Sequence, residues 1–118
     1  MSKTSAASAL LDADHPDFLR ITPEEATELG QRALEAAGYS GEDARITIDQ
    51  LVDNSLCGYR FAGLPRVLAI ATDVKTKQPR KPVSIVRETP VSALVDGGNN
   101  IGYVAAYRGA EIAIEKAK

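Results

Sequence analysis

The sequence is poor in the residues that build metal centres and redox bridges. It has one cysteine, Cys57, and one histidine, His15, among 118 residues. Neither an internal disulfide nor a Cys/His zinc site can form from so few side chains, and we predict no metal ligands. A lone thiol is typical of a reducing compartment, so we expect a cytoplasmic protein in which Cys57 is packed in the fold. His15 lies in a polar segment without a second imidazole, and we assign it no catalytic role.

The sequence also lacks an excess of basic charge and a long apolar run. Fourteen Lys and Arg residues against 16 Asp and Glu give a net charge of -2, which disfavours nucleic-acid binding because phosphates require a cationic surface. No stretch reaches the roughly 18 apolar residues of a membrane span, so we predict no membrane partner. Tryptophan is absent while 44% of the residues are hydrophobic, and this composition predicts a folded chain with an aliphatic core.

Helical signals dominate residues 20–77. Thr22 and Glu25 form a capping box around a proline, and apolar residues then recur on one side of a first helix at Ala26, Leu29, Ala33 and Ala37. A second helix is predicted from Ser40 to Gly58, and its apolar positions are Ala44, Ile48, Leu51, Val52 and Leu56. A third helix is predicted from Leu64 to Val74. The first two helices are joined by only a few residues, which predicts a helical hairpin.

Residues 82–118 change to a pattern of two strands and a helix. Alternating apolar residues predict short strands at 83–87 and 91–96. The glycine-rich segment Asp96–Gly102 precedes a helix that runs to Lys118, and we expect Asn99 or Asn100 to cap it. Such a segment can bind a phosphate, but it matches no known phosphate-binding pattern, so a joint between strand and helix is favoured over a ligand site. The basic segment 75–82 between the two parts is predicted to be a surface loop.

The predicted fold class is mixed α/β: a helical hairpin and third helix, then a short strand pair and a helix. Two strands do not complete a sheet, so we expect an incomplete part of a larger fold. The expected organisation is a polar tail over 1–19 and a single portion over 20–118, helical over 20–77 and strand-strand-helix over 82–118.

The segment from Gly58 to Arg66 concentrates the side chains that could carry chemistry. Arg66 could hold a carboxylate through two parallel hydrogen bonds, because the guanidinium group is planar and carries several donors. Alternatively, Arg66 pairs with a surface acid while Phe61 fills the core. The residues themselves leave both interpretations open.

Two stretches resemble the malate/L-lactate dehydrogenase family of the non-Rossmann type, which includes ureidoglycolate dehydrogenase, diketogulonate reductase and cyclic-imine reductases. Residues 51–68 resemble the family pattern of a helix, Gly, Ser-His-Gly and an Arg three residues later, with matches at Gly58, Gly63 and Arg66. Residues 82–118 follow the family in order and spacing. The resemblance covers about residues 20–118 and the amino-terminal part of the family only.

The resemblance implies an oxidoreductase that moves a hydride between NAD or NADP and a 2-oxo or 2-hydroxy acid, or a related imine. Arg66 would hold the acid. Ala62 stands where the family has its proton-donating His, so Tyr59 is the candidate substitute acid. The family binds its cofactor mainly through later segments and forms homodimers, which implies the remainder of the enzyme or a second chain as partner. The alternative is a non-catalytic binding or interaction module descended from the family.

Overall fold

The computed structural model describes residues 17–118, which form four α-helices, a 3-10 helix and two strands. In chain order these are α1 (Pro23–Ala36), α2 (Gly41–Leu56), α3 (Arg66–Thr72), the 3-10 helix (Val74–Lys77), β1 (Ser84–Thr89), β2 (Ser92–Asp96) and α4 (Gly102–Ala117). The predicted mixed α/β class and the order of its elements are confirmed. The prediction for His15 lies outside the described residues.

The predicted hairpin of α1 and α2 is present, and its first helix begins with the predicted capping box. Thr22 Oγ1 accepts a hydrogen bond from the Glu25 backbone N–H at 3.1 Å, and Glu25 Oε2 accepts one from the Thr22 N–H at 2.8 Å. The two helices come so close at Gly30 that a Cβ atom there would overlap the side chain of Ile48. A glycine therefore sets the distance between the helices.

The aliphatic core lies among the first three helices. Its largest fully buried apolar side chains are Leu34, Ile48 and Leu51. The predicted apolar side of α1 is wrong at Leu29, which is 60% exposed. The buried positions of α1 are Ala26, Gly30 and Leu34, because α2 approaches along the line that contains the glycine.

The third helix is shorter than predicted, because Asp73 leaves the helical conformation with ψ near 132°. Its carboxylate accepts a hydrogen bond from the Lys75 N–H at 2.9 Å and starts the 3-10 helix. The basic segment that follows is more than a surface loop. Arg80 stacks on the Tyr39 ring, 4.3 Å from its centroid, and donates to the Gly38 carbonyl oxygen at 2.6 Å. This residue ties the basic segment to the helical hairpin.

The two strands form an antiparallel pair near the predicted positions, but β1 extends to Thr89 and the turn is therefore Pro90 and Val91. Helix α4 packs beside β2. Near the turn that joins the two strands, Lys116 Nζ binds Glu88 Oε2 at 2.8 Å and the Thr89 carbonyl oxygen at 2.7 Å. Helix α4 and the strand pair thus form one packed unit.

The segment Asp96–Gly102 is a joint between strand and helix, but its asparagines do not cap α4. The N-cap residue is Ile101, and no side chain caps the helix there. The Asn100 amide instead donates to the Lys81 carbonyl oxygen at 2.6 Å, and Asn99 occupies the left-handed region at φ 62°. The predicted capping is wrong because the basic segment lies within reach of the amide and provides the acceptor.

Candidate functional site

Two side chains from the last turn of α2 hold the turn that leads into α3. Asn54 Nδ2 donates to the Ala62 carbonyl oxygen at 3.0 Å, and Ser55 Oγ accepts from the Leu64 N–H at 2.8 Å. Gly63 is buried between these contacts, and a Cβ atom there would overlap Ser55 Oγ. The backbone of the turn is therefore fixed immediately before α3 begins.

Arg66 is the first residue of α3 and presents an exposed guanidinium group. Its central carbon lies 5.6 Å from the centroid of the Phe61 ring, within the range of a cation–π contact. Among residues 17–118, no carboxylate pairs with the Arg66 side chain and no acceptor binds its N–H groups. Phe61 is 85% exposed. The alternative of an Arg66 ion pair over a core phenylalanine is therefore wrong, and the donors of Arg66 are available to a ligand.

Tyr59 lies in the same turn, with its side chain in solvent. Its backbone N–H donates to the Asn54 carbonyl oxygen at 2.8 Å, and the residue is 67% exposed. Its hydroxyl group has no hydrogen-bond partner in the part of the chain that the structure describes. Tyr59 lies in the turn before α3, Arg66 is the first residue of α3, and both are exposed. The methyl group of Ala62, which lies between them in the sequence, has no proton to transfer.

An open groove of about 520 Å³ adjoins this turn. It is lined by Phe18, Leu19, Arg20, Ile21, Ser55, Arg60 and Pro65. The Arg60 guanidinium carbon lies 5.2 Å from the centroid of the Phe18 ring. Arg66 is not among the lining residues, so the groove flanks the candidate carboxylate anchor without containing it.

Cys57 is exposed and free, so the expectation of a packed thiol is wrong. It occupies the C-cap position of α2, where the chain leaves the helix and no element within residues 17–118 covers it. Over the described range 17–118, no group of three His, Cys, Asp or Glu side chains is placed to hold a metal ion.

The glycine-rich joint before α4 uses two of its backbone donors internally. The Gly98 N–H donates to Asp96 Oδ1 at 2.8 Å, and the Asn100 N–H donates to the Gly97 carbonyl oxygen at 3.0 Å. A phosphate cradle needs such N–H groups to be free. These two N–H groups are therefore not available to a phosphate, which agrees with a joint between strand and helix.

A cluster of three charged residues lies away from the turn, between α4 and the start of α2. Arg108 binds Glu42 and Glu111, each at 2.9 Å. The hydrogen bonds that Arg108 donates to Glu111 and Glu42 raise the pKa of Arg108 above its ordinary value. The hydrogen bond and the positive charge of Arg108 lower the pKa of Glu42. This cluster links the strand-helix part to the helical hairpin and supports the fold.

Comparison with known proteins identifies relatives of this architecture. The model of the malate/L-lactate dehydrogenase family matches residues 21–118. The chain is 39% identical over 100 residues to the malate/(S)-sulfolactate dehydrogenase of Methanothermus fervidus, a match of 83% of this chain and 30% of that protein. It is 35% identical over 100 residues to the L-sulfolactate dehydrogenase of Methanocaldococcus jannaschii, a match of 83% of this chain and 29% of that protein.

A solved structure shows the same arrangement of elements. The malate dehydrogenase of Pyrococcus horikoshii OT3 aligns with a TM-score of 0.79 and 30% identity, covering 86% of this chain and 30% of that one. The fold is thus part of a dehydrogenase fold. The chain belongs to the malate/L-lactate dehydrogenase family, as the resemblance predicts, and spans about 30% of the length of these relatives. No helix within residues 17–118 has the length and apolar character to cross a bilayer.

Proposed function

We propose that this chain is the amino-terminal part of an NAD(P)-dependent oxidoreductase that acts on a 2-oxo or 2-hydroxy acid, or on a related imine. The observation that carries the proposal is the exposed Arg66 guanidinium, whose N–H groups have no acceptor among the described residues. Two relatives are named for malate and sulfolactate, which are 2-hydroxy acids with a carboxylate. The unoccupied donors of Arg66 match that shared group.

Arg66 binds the substrate carboxylate in this proposal, with its guanidinium held against the Phe61 ring. Closure of the site over these side chains removes water and strengthens the ion pair. Tyr59 is the proposed acid: it gives its proton to the substrate oxygen while a hydride reaches the carbonyl carbon, and the product is the 2-hydroxy acid. The cofactor supplies that hydride when bound, and its contacts belong mainly to segments outside this chain.

The proposal extends to the organisation of the protein. Residues 1–19 are a polar tail, and residues 20–118 are the amino-terminal portion of the enzyme. The partner is the remainder of the enzyme polypeptide or a second chain, and the assembled enzyme is a cytoplasmic homodimer that uses NAD or NADP. The 30% share of the solved relative to which the chain corresponds supports a partner that supplies the rest of the fold.

The test measures oxidation of NADH and NADPH by the assembled enzyme, meaning this chain together with the polypeptide that carries the rest of the family fold. A panel of 2-oxo acids is offered as substrate. Arg66→Ala is expected to raise KM for the acid by about 10- to 100-fold, because the variant loses the hydrogen bonds to a charged group and the affinity falls accordingly. Arg32→Ala on α1 is the matched control and leaves KM unchanged. The proposal fails if no acid supports oxidation, or if Arg66→Ala leaves KM unaltered.

A second candidate is a binding module without chemistry, and Ala62 is the observation that favours it. In that case the assembled protein binds a small acid through Arg66 but shows no coupling to a cofactor. Calorimetric titration with a 2-oxo acid, in the presence and absence of NADH, separates the two. Equal affinity under both conditions, without turnover, supports the binding module.

A further inference from the structure

The short helix α3 begins without a side-chain cap. Its N-cap residue is Pro65, and no side chain there accepts a hydrogen bond from the first turn. A helix of seven residues is too short to be stable through its own hydrogen bonds. The buried side chains of Val67 and Ile70 hold the body of the helix in the core. The peptide groups just before Arg66, the first residue of α3, therefore need a partner from another element.

Ser55 of α2 supplies that partner. Its Oγ accepts a hydrogen bond from the Leu64 N–H at 2.8 Å, and the Arg66 N–H donates to the Gly63 carbonyl oxygen at 2.9 Å. The Leu64 N–H and the Gly63 carbonyl belong to the same planar peptide group. Ser55 and the backbone of Arg66 are thus joined through one rigid plane. A Cβ atom at Gly63 would overlap Ser55 Oγ, so the glycine allows this close approach.

The aromatic ring beside Arg66 is held from the same turn of α2. The Arg66 guanidinium carbon lies 5.6 Å from the centroid of the Phe61 ring. The carbonyl oxygen of the next residue, Ala62, accepts a hydrogen bond from Asn54 Nδ2 at 3.0 Å. Asn54 therefore holds the backbone that follows Phe61, and Ser55 holds the backbone that precedes Arg66. The last turn of α2 fixes both ends of the cation–π pair.

The position of Arg66 matters because two-pronged binding of a carboxylate requires two donors in line with two oxygens. A long arginine side chain loses rotamer freedom when a ligand holds it, and a backbone that is already fixed reduces the cost of binding. The Ser55 hydroxyl is engaged by the Leu64 N–H. Ser55 therefore acts on the acid through Arg66.

We infer that Ser55 is a positioning residue for acid binding: through the Gly63–Leu64 peptide group it holds Arg66 where the guanidinium receives a carboxylate. The inference rests on the proposed function, which assigns the carboxylate to Arg66. It adds a residue of α2, outside the segment 58–66, to those that determine the affinity for the acid.

The test measures the dissociation constant of oxalate by calorimetric titration of the assembled enzyme, with NADH or NADPH present. Oxalate carries a carboxylate beside two further oxygens, as a 2-oxo acid does. Ser55→Ala is expected to weaken oxalate binding about fivefold, the equivalent of one hydrogen bond. Ser55→Thr keeps an acceptor oxygen and is expected to retain the affinity.

A double-mutant cycle separates positioning from a general structural role. In the Arg66→Ala background, Ser55→Ala is expected to cause no further loss of affinity, because its effect passes through the guanidinium. Ser40→Ala is the matched control. The Ser40 hydroxyl accepts a hydrogen bond from the Asp43 N–H at 3.2 Å at the start of α2. Its removal lowers stability in a similar way and is expected to leave oxalate binding unchanged.

The inference is overturned if Ser55→Ala binds oxalate as tightly as the unaltered protein. A loss of the same size in the Arg66→Ala background, or in Ser40→Ala, also overturns it, because Ser55 would then act through general stability. If Arg66→Ala itself leaves oxalate binding unchanged, the inference and the proposed function both fail. Oxalate binding that depends on Ser55 and Arg66, without oxidation of NADH or NADPH by any acid, supports the inference and contradicts only the proposed function.

Discussion

The side-chain amide of Asn54 donates a hydrogen bond to the carbonyl oxygen of Ala62, eight residues later, at 3.0 Å. Gln50 Nε2 in turn donates to Asn54 Oδ1 at 2.8 Å and orients the amide. The backbone of residue 62 is therefore placed by α2 and not by its own side chain. The backbone at residue 62 is thus held in place, although the residue is alanine where the family resemblance implies a proton donor.

Asn54→Ala should loosen the turn and leave the helical hairpin folded. Removal of one partly buried hydrogen bond costs about 1 kcal/mol of unfolding free energy, measured by urea denaturation. Amide hydrogen exchange across residues 58–65 is expected to accelerate more than exchange in α1. Gln31→Ala removes an exposed side-chain hydrogen bond to Glu35 and is the control. A loss of protection that is equal throughout the chain would contradict a local role for Asn54.

Ala62→His restores an imidazole at the fixed position and should increase kcat of the assembled enzyme by about 100-fold, a usual contribution of a positioned general acid. The rate should also acquire a pH dependence close to the histidine range, about pH 6.5. Ala69→His, on an exposed position of α3, is the control and adds an imidazole without a gain in rate.

The role of Tyr59 is tested both with alanine at residue 62 and in the Ala62→His variant. Tyr59→Phe is expected to lower kcat when residue 62 is alanine, since the phenol is then the acid. The same change should have little effect in the Ala62→His background, where the imidazole supplies the proton. An equal loss of rate in both backgrounds would assign Tyr59 a structural task instead.

Gly30→Ala and Gly109→Ala should change stability in opposite directions. Both glycines lie inside helices, but a Cβ atom at Gly30 would overlap the fully buried Ile48, whereas a Cβ atom at Gly109 meets nothing within 4 Å. Overpacking is expected to cost about 1–3 kcal/mol at Gly30. Improved helix propensity should add about 0.5–1 kcal/mol at Gly109. Thermal or urea unfolding measures both, and destabilisation by both variants would contradict the close approach at Gly30.

Glu42→Gln should lower the free energy of unfolding at neutral pH and make that free energy less sensitive to acid. Arg108 lowers the folded-state pKa of Glu42 below its ordinary value of 4.5, so the ion pair is fully present above that value and is lost as the pH falls through the lowered pKa. Urea unfolding from about pH 7 to about pH 3 measures the difference. Glu28→Gln on α1 is the control. If both variants lose the same stability as the pH falls, Glu42 does not contribute to the acid sensitivity of the fold.

Much of the fold follows from signals that act over three or four residues. The capping box of Thr22 and Glu25 and the cap at Ser40 set the starts of α1 and α2, and Gly38 ends the first helix with φ 98°. The strand pair was likewise predictable from alternation. The segment 58–66 was identified as the candidate site because it concentrates aromatic and guanidinium groups. The clamp by Asn54 and Ser55 was missed, although polar residues in the last turn of a helix before a glycine are a usable signal.

The sequence by itself determined which segments form helices and strands and where α1 and α2 begin, because caps, glycines and alternating side chains act on neighbouring backbone groups. The tertiary structure decided what covers each surface. It buried Gly30 in place of Leu29, exposed Cys57, left Arg66 without an acid among residues 17–118, and joined Arg80 to the Gly38 carbonyl oxygen across 42 residues. Burial and partner choice depend on groups that are distant in the chain, and only the packing of whole elements brings those groups together.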